Sequence, residues 1–272
     1  MQEDNLTFLK RNLTTKGFDD ATLHANLENQ VKQGQPEFKL MGTAEFKRGP
    51  LTEKVDYELA FKKSDQSDKY FFNSFKATLK NDDPSKEMSR DFYLRKGRGF
   101  TKKEAYNLLG GRAVYKEMTN KSEEVYKAWV KLDFMKKDER GNFELRQWGQ
   151  KYGYDLQKTL QNFPIKELAD PELRERITAS LEKGNTVKVT FAREGRDETM
   201  YIEAVPRWKS LEVYGEKMNK IFTDNTKKAG KEEKEGKEKS QDNTQSNGES
   251  ATKAADDEEK GKKTGKRKGV GV

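Results

Sequence analysis

The chain has 272 residues, of which 32% are hydrophobic and 38% are charged, and its formal net charge at pH 7 is +8. It has no cysteine and one histidine, His24, which excludes disulfide bonds, thiolate nucleophiles and iron–sulfur clusters. No apolar run approaches the roughly 18 residues that a membrane span requires, and the residues after Met1 do not resemble a secretory signal, so we expect a cytoplasmic protein without membrane contact.

The first part of the chain predicts a short N-terminal segment, residues 1–14, and a first α+β unit, residues 15–80. Leu23, Leu27 and Val31 recur every four residues and predict an amphipathic helix. An aspartate precedes this pattern and a glycine follows it, as is typical of helix caps. Three stretches of alternating apolar residues come next and predict an antiparallel meander with one face on the helix and one in water.

Two further units of the same kind are predicted at residues 81–150 and 151–222, and an additional helix between Asp155 and Asn162. Each unit combines a helix that ends at a glycine with strands of alternating pattern. Internal duplication would explain this recurrence, and so would a chance repetition of short strands and turn glycines. The predicted fold class is therefore α+β, with about three repeated units of a helix and a three-stranded meander. The matched glycines are Gly34, Gly111 and Gly184.

Residues 223–272 are predicted to form a disordered tail. They are almost all polar, charged or small, and too few apolar groups are present to offset the entropy of ordering. Basic side chains gather near the end and would attract phosphate groups, although a solvated tail without any ligand explains the same composition. This basic patch comprises Lys262, Lys263, Lys266, Arg267 and Lys268.

Several short motifs occur in an order that resembles a known family. They read KSDQSD, EAYNLLGGRAV, YKAWV, YGYDL and PIKEL, and they begin at Lys63, Glu104, Tyr126, Tyr152 and Pro164. From about Leu6 to Ile221 the chain is similar to an uncharacterised domain-of-unknown-function family of Bacteroidota proteins, often carried on conjugative or other mobile elements. The resemblance implies no catalytic residue or cofactor. The association with mobile elements implies a DNA-linked role by analogy alone.

No catalytic constellation can be drawn from the sequence. A serine triad needs an activating base, and His24 lies alone in a predicted helix. The string from Gly261 to Arg267 has one residue too few for a phosphate-binding P-loop and lacks its hydroxyl group. Clustered carboxylates fall in predicted turns or in the tail, where solvent surrounds them. We therefore expect a non-enzymatic protein with no catalytic residue, no metal site and no cofactor.

One segment alternates cations with aromatic residues. Cations contact phosphates and exposed rings stack on bases, so this alternation predicts a nucleic-acid contact. A strand, a glycine turn and a helix anchored by Phe100 would explain the same residues without a ligand. The predicted contacts in this segment are Arg90, Tyr93, Arg95, Lys96, Arg98, Lys102 and Lys103.

A second predicted contact lies in the strand around Trp129. If Ala128 and Val130 face the core, then Lys127, Trp129 and Lys131 share the opposite face. An exposed tryptophan between two lysines could stack on a base while the cations hold the flanking phosphates. Burial of the ring by a neighbouring unit is equally consistent with the pattern.

Three functions compete on these observations. The first is a non-catalytic, sequence-tolerant accessory protein of a mobile element that binds DNA or RNA. The second is a protein-interaction module that binds a partner through exposed sheet faces or edges. The third, a metal enzyme, has no supporting constellation. Exposure of Trp129 and a common surface for Arg90, Arg95 and Arg98 would favour the first function over the second.

Overall fold

The computed structural model describes residues 2–95, 97–120, 122–193 and 196–221, and it describes no side chains for residues 2–4 and 193. The predicted disordered tail, its basic patch and Lys96 lie outside this part of the chain. Five α-helices and three antiparallel sheets form the described residues, so the fold class is α+β. No helix among them is both long enough and apolar enough to span a bilayer.

The first sheet has four strands and is covered by two helices. Leu9 and Leu13 of α1 and Leu27 of α2 are buried in the same core as the aromatic side chains of the sheet. Phe18, which follows α1, packs edge-on against Tyr57, 5.3 Å between ring centroids. The elements are α1 (Gln2–Thr15), α2 (Ala21–Gln33), β1 (Glu37–Arg48), β2 (Leu51–Lys63), β3 (Tyr70–Leu79) and β4 (Met88–Tyr93), with the strands in sequence order across the sheet.

The middle sheet has three strands and is packed on both faces. Ala128 and Val130 of its central strand belong to the first core, whereas Trp129 between them belongs to a second core. The preceding helix begins with a capping box in which Thr101 and Glu104 each bond the other's backbone. The elements are α3 (Lys102–Leu109), β5 (Val114–Thr119), β6 (Val125–Lys137) and β7 (Phe143–Gly149), in the order β5-β6-β7.

The third sheet encloses the second core together with two helices. Its outer strand is covered along the edge, because Ala192 N–H donates to the carbonyl of Pro164 and Thr190 N–H donates to the carboxylate of Glu167. The elements are α4 (Leu156–Gln161), α5 (Pro171–Glu182), β8 (Val187–Arg193), β9 (Arg196–Val205), β10 (Ser210–Tyr214) and β11 (Lys220–Ile221), in the order β11-β10-β9-β8.

The repeated three-stranded unit is not confirmed. The sheets contain four, three and four strands, and β4 pairs with β3 although it lies beyond the predicted boundary at residue 80. The prediction that one face of the middle sheet is exposed to solvent is wrong, because the third sheet and its helices cover the side that carries Trp129. Alternation of apolar residues shows which side chains share a face, and it does not show whether a second layer covers the other face.

Candidate functional site

A groove follows the outer edge of β5, which is an edge strand of the middle sheet. Two adjoining cavities of about 570 and 480 Å³ lie along this edge, and they have several lining residues in common. They therefore form one groove, which we call the β5 groove. The shared residues are Arg98, Gly99, Lys116, Glu117, Thr119 and Val125.

One wall of the β5 groove is a tight turn after β4. Arg95 N–H donates to the Arg98 carbonyl at 3.0 Å, and Arg98 N–H donates back to the Arg95 carbonyl at 2.9 Å. Gly99 has a φ of +142°, and a Cβ atom there would lie 2.9 Å from the carbonyl oxygen of Tyr93. Glycine is therefore required for the turn to lie back against β4, and this placement directs the Arg98 side chain into the groove.

The opposite wall comes from α3 and α5. The carboxylate of Glu104, held by the capping box, accepts from Lys116 Nζ at 2.7 Å. At the end of α5, Gly184 has a φ of +79°, and a Cβ atom there would lie 2.8 Å from the Ala113 carbonyl oxygen. This close approach fixes the last turn of α5, with Glu182 and its cap Lys183, beside the start of β5.

The groove carries more basic than acidic side chains. Two cations are neutralised by ion pairs, Lys116 by Glu104 at 2.7 Å and Arg95 by Glu123 at 3.1 Å. The other four form no ion pair with any residue that the structure describes. The acidic lining residues are Glu104, Glu117, Glu123 and Glu182, and the basic ones are Lys16, Arg95, Arg98, Lys116, Lys127 and Lys183.

Two pKa shifts reflect the partial burial of the groove, and one of them also reflects its positive charge. Burial lowers the pKa of Lys16, and the charge of Lys116 lowers it further. Burial raises the pKa of Glu182, and Lys127 opposes that rise. An anion placed between these groups would relieve the repulsion that Lys16 experiences. The groove is thus electrostatically suited to an anionic ligand.

The backbone of β5 is also open along the groove. Alternate residues of an edge strand direct their N–H and C=O groups away from the partner strand. For residues 115–119, no hydrogen bond from the described ranges reaches the outward groups. The edge of β8, in contrast, is covered by Pro164 and Glu167. The β5 edge therefore keeps free donors and acceptors beside the cations.

Four of the sequence-predicted contacts line the groove, namely Tyr93, Arg95, Arg98 and Lys127. Tyr93 is 51% exposed, and the guanidinium of Arg140 lies 5.3 Å from its ring centroid. Arg98 and Lys127 are exposed and both line the larger cavity of the groove. These residues form one surface although they come from separate elements.

The predicted exposure of Trp129 is wrong, and the alternative of burial by a neighbouring unit is confirmed. Its side chain is 5% exposed and lies between the rings of Tyr115 and Tyr154, each 5.3 Å away between centroids. Lys131 on the same face is half-buried, and burial lowers its pKa while Glu212 opposes the shift. Trp129 is therefore covered and cannot stack on a base, and Lys131 does not line the β5 groove.

Three predicted cations before and within α3 pack on rings of the protein itself. Arg90 lies 5.7 Å from the Phe92 centroid with its Nε and Nη1 atoms buried, so it does not share the surface of Arg95 and Arg98. Lys102 lies 5.6 Å from the Phe18 ring and Lys103 lies 4.6 Å from the Phe46 ring. None of these three cations lines the β5 groove, so the predicted segment does not form one continuous contact surface.

Sequence reasoning missed three cations of the groove, Lys16, Lys116 and Lys183. They belong to the end of α1, to β5 and to the cap of α5, and only tertiary packing brings them together. No local pattern distinguishes them from other surface lysines. Among the described residues, no group of three or more His, Asp or Glu side chains is placed to hold a metal ion.

Comparisons of the chain with models of protein families, with curated proteins and with solved structures gave no match. The resemblance to the Bacteroidota family therefore stays a prediction that rests on the motifs alone.

Proposed function

We propose that the protein is a non-catalytic nucleic-acid-binding protein that holds a phosphate backbone in the β5 groove. The observation that carries this proposal is the convergence of Lys16, Arg98, Lys127 and Lys183 on one groove, without an ion-pair partner among the described residues. Cations of this kind bind phosphates and release condensed counterions, which supplies most of the affinity of sequence-tolerant binding.

The lining of the groove favours contacts with the backbone over contacts with base edges. Among the described lining residues there is no Asn or Gln, the side chains that pair with adenine. Of the two arginines, which can pair with guanine, Arg95 is held by Glu123. Lysine provides a point charge without a fixed hydrogen-bonding direction. We therefore expect the binding affinity to depend little on the nucleotide sequence. The predicted association with mobile elements and the predicted cytoplasmic location are consistent with such a ligand by analogy.

The test is a titration of labelled single-stranded and duplex DNA at low salt, followed by fluorescence anisotropy. Replacing three exposed cations together, Arg98→Gln, Lys127→Gln and Lys183→Gln, should weaken binding by about tenfold or more, because three phosphate contacts are lost. The matched control is Lys47→Gln, Lys54→Gln and Lys76→Gln, three exposed lysines of the first sheet that remove the same charge.

The control variant should bind within about twofold of the unmodified protein, since its lysines do not line the groove. Absence of binding at low salt by the unmodified protein would overturn the proposal. Equal losses in both variants would show that net charge, and not the groove, determines the affinity.

A protein partner is a second candidate. The open edge of β5 favours it, and so do the burial of Trp129 and the separation of Arg90 from Arg95 and Arg98. An extended segment could add to residues 115–119 as a further strand, through main-chain hydrogen bonds. Such a partner would co-purify after nuclease treatment and at moderate salt. A complex that nuclease or salt disperses would favour the phosphate ligand instead.

A further inference from the structure

Two exposed phenylalanines lie close to the β5 groove. Phe8 of α1 is 38% exposed and Phe71 of β3 is 43% exposed. Both rings line two adjoining cavities of about 380 and 130 Å³. Single exposed apolar side chains are ordinary, whereas two large rings that line the same concave surface form a larger exposed apolar patch.

Core packing does not require either ring at its position. In α1 the buried stripe runs through Asn5, Leu9 and Leu13, and Phe8 lies beside it. In β3, Tyr70 and Phe72 face the core, so Phe71 between them faces solvent. Each ring is less than half exposed, and its exposed part is available for a ligand.

The surroundings of the rings are basic. The guanidinium of Arg11 lies 5.8 Å from the centroid of Phe8, and Lys69 and Lys16 line the same cavities. No described carboxylate lines either cavity. Rings interleaved with cations are the arrangement by which proteins stack unpaired bases while they hold the intervening phosphates.

The smaller cavity connects this surface with the β5 groove. Lys16 and Gly97 line both. A strand whose bases stack on Phe8 and Phe71 could pass Lys16 and enter the groove beside Arg98. We propose that Phe8 and Phe71 form a base-stacking platform at the end of the β5 groove, and that the platform selects single-stranded over double-stranded nucleic acid.

This inference rests on the proposed function and makes it more specific. The bases of a duplex stack on each other and keep their faces covered, so a side-chain ring reaches a base face only when the base is unpaired. Phosphate contacts alone do not produce such a preference. The platform therefore adds affinity for single strands and none for a duplex.

The experiment compares a single strand with a blunt-ended duplex of similar phosphate number, which has no unpaired loop bases. The unmodified protein should bind the single strand at least about tenfold more tightly. The double variant Phe8→Ala and Phe71→Ala should lose roughly 30-fold or more on the single strand and less than about threefold on the duplex, given the usual contribution of base–ring stacking.

Two control variants separate stacking from folding. Phe8→Tyr and Phe71→Tyr keep both rings and should keep the affinity for the single strand. Met41→Ala and Met135→Ala remove exposed apolar groups away from the platform and should leave binding unchanged. Thermal unfolding of each variant, followed by circular dichroism, establishes that the proteins compared are folded.

The outcomes distinguish the platform from the proposed function itself. No binding of either nucleic acid by the unmodified protein overturns both. Equal affinity for the two ligands, or full single-strand affinity in the folded Phe8→Ala and Phe71→Ala variant, overturns the platform alone. A protein that self-associates through these rings and becomes monomeric in the alanine variant would show an interface between copies, which also overturns the platform.

Discussion

Lys103 is a half-buried cation that packs on two aromatic rings. Its ammonium group lies 4.6 Å from the centroid of Phe46 and 4.5 Å from that of Tyr106, and these two rings stack at 4.4 Å. Burial lowers the pKa of Lys103 to about 8, and the charge of Arg112 adds to the effect. The rings stabilise the charged form and offset part of the cost of burial.

Replacing Lys103 by Met should therefore stabilise the protein at neutral pH. The folded-state pKa of about 8 lies below the ordinary 10.5, so the cost of the buried charge is fully present below pH 8 and disappears as the pH rises towards 10.5. We expect a gain of about 1 kcal/mol in the free energy of unfolding, since the ammonium group is partly solvated and lies over two rings.

Urea denaturation of the Lys103→Met variant and the unmodified protein at pH 7 and at pH 10 measures this difference. Lys76→Met, at an exposed position, is the control and should change little at either pH. A gain for Lys103→Met that stays the same at high pH would contradict the account, because it would arise from packing and not from the charge.

At the residue scale, the sequence identified cations beside rings but not which rings they contact. Cations and aromatic residues do alternate between residues 90 and 103, but three of the cations contact rings of the protein itself. Arg90 packs on Phe92, Lys102 on Phe18 and Lys103 on Phe46. Cation–π attraction acts in the same way towards a base and towards a phenylalanine. Only burial distinguishes the two, and burial depends on tertiary structure.

Helix ends were the most predictable elements. The α2 helix ends at Gly34 with a φ of +70°, as expected from local chemistry. The α5 helix begins with Pro171 after the cap Asp170, and proline is favoured at a first helical position because it lacks the N–H group that would be unpaired there. The cap of α2 is Asp20, one residue after the aspartate that opened the predicted pattern. The α4 helix lies within the predicted 155–162 range, with Asp155 as its cap. Helix caps depend on a few neighbouring residues and can therefore be predicted from the sequence.

The burial of strand faces was harder to predict than the ends of helices, and β6 is the clearest example. Its alternation places Ala128 and Val130 on one face and Trp129 on the other, as expected, but the second face is buried as well. A strand with lysines flanking its tryptophan has the pattern of a half-exposed strand. The long stems of lysine reach solvent from a covered face, which hides the second layer from the sequence.

Replacing Trp129 by Ala should therefore affect stability and not binding. Loss of a large buried ring between Tyr115 and Tyr154 should lower the free energy of unfolding by about 3–5 kcal/mol. Urea denaturation measures the loss, and the anisotropy titration at a temperature where the variant remains folded measures the affinity. A variant of unchanged stability that no longer binds single-stranded DNA would contradict this assignment.

At the scale of the whole molecule, the first and third sheets are joined by a buried ion pair. Arg48, at the end of β1, donates to the carboxylate of Glu203 on β9 at 2.9 Å, and Thr186 and Tyr214 donate to the same carboxylate. Removing one partner of such a pair leaves an uncompensated buried charge, so the pair constrains how the sheets pack. The third sheet carries α5 in its core, and α5 lies beside β5 at the groove.

The groove could not be predicted from the sequence, because its parts are distant along the chain. Lys16, Arg98, Lys127 and Lys183 belong to different elements, and each is an ordinary surface cation in its local context. The sequence did indicate an α+β fold and two of these four cations, Arg98 and Lys127. The exposure of the platform rings Phe8 and Phe71 was not predicted, because the sequence does not show which phenylalanines are exposed and which are buried.

The most direct test of the account is the salt dependence of single-strand binding. Each phosphate contact on a single strand contributes about 0.7 to the slope of log K against log salt concentration. The variant Arg98→Gln, Lys127→Gln and Lys183→Gln should therefore show a slope that is less steep by about 2 than that of the unmodified protein. Equal slopes for the two proteins would contradict the assignment of the β5 groove as the site that holds the phosphates.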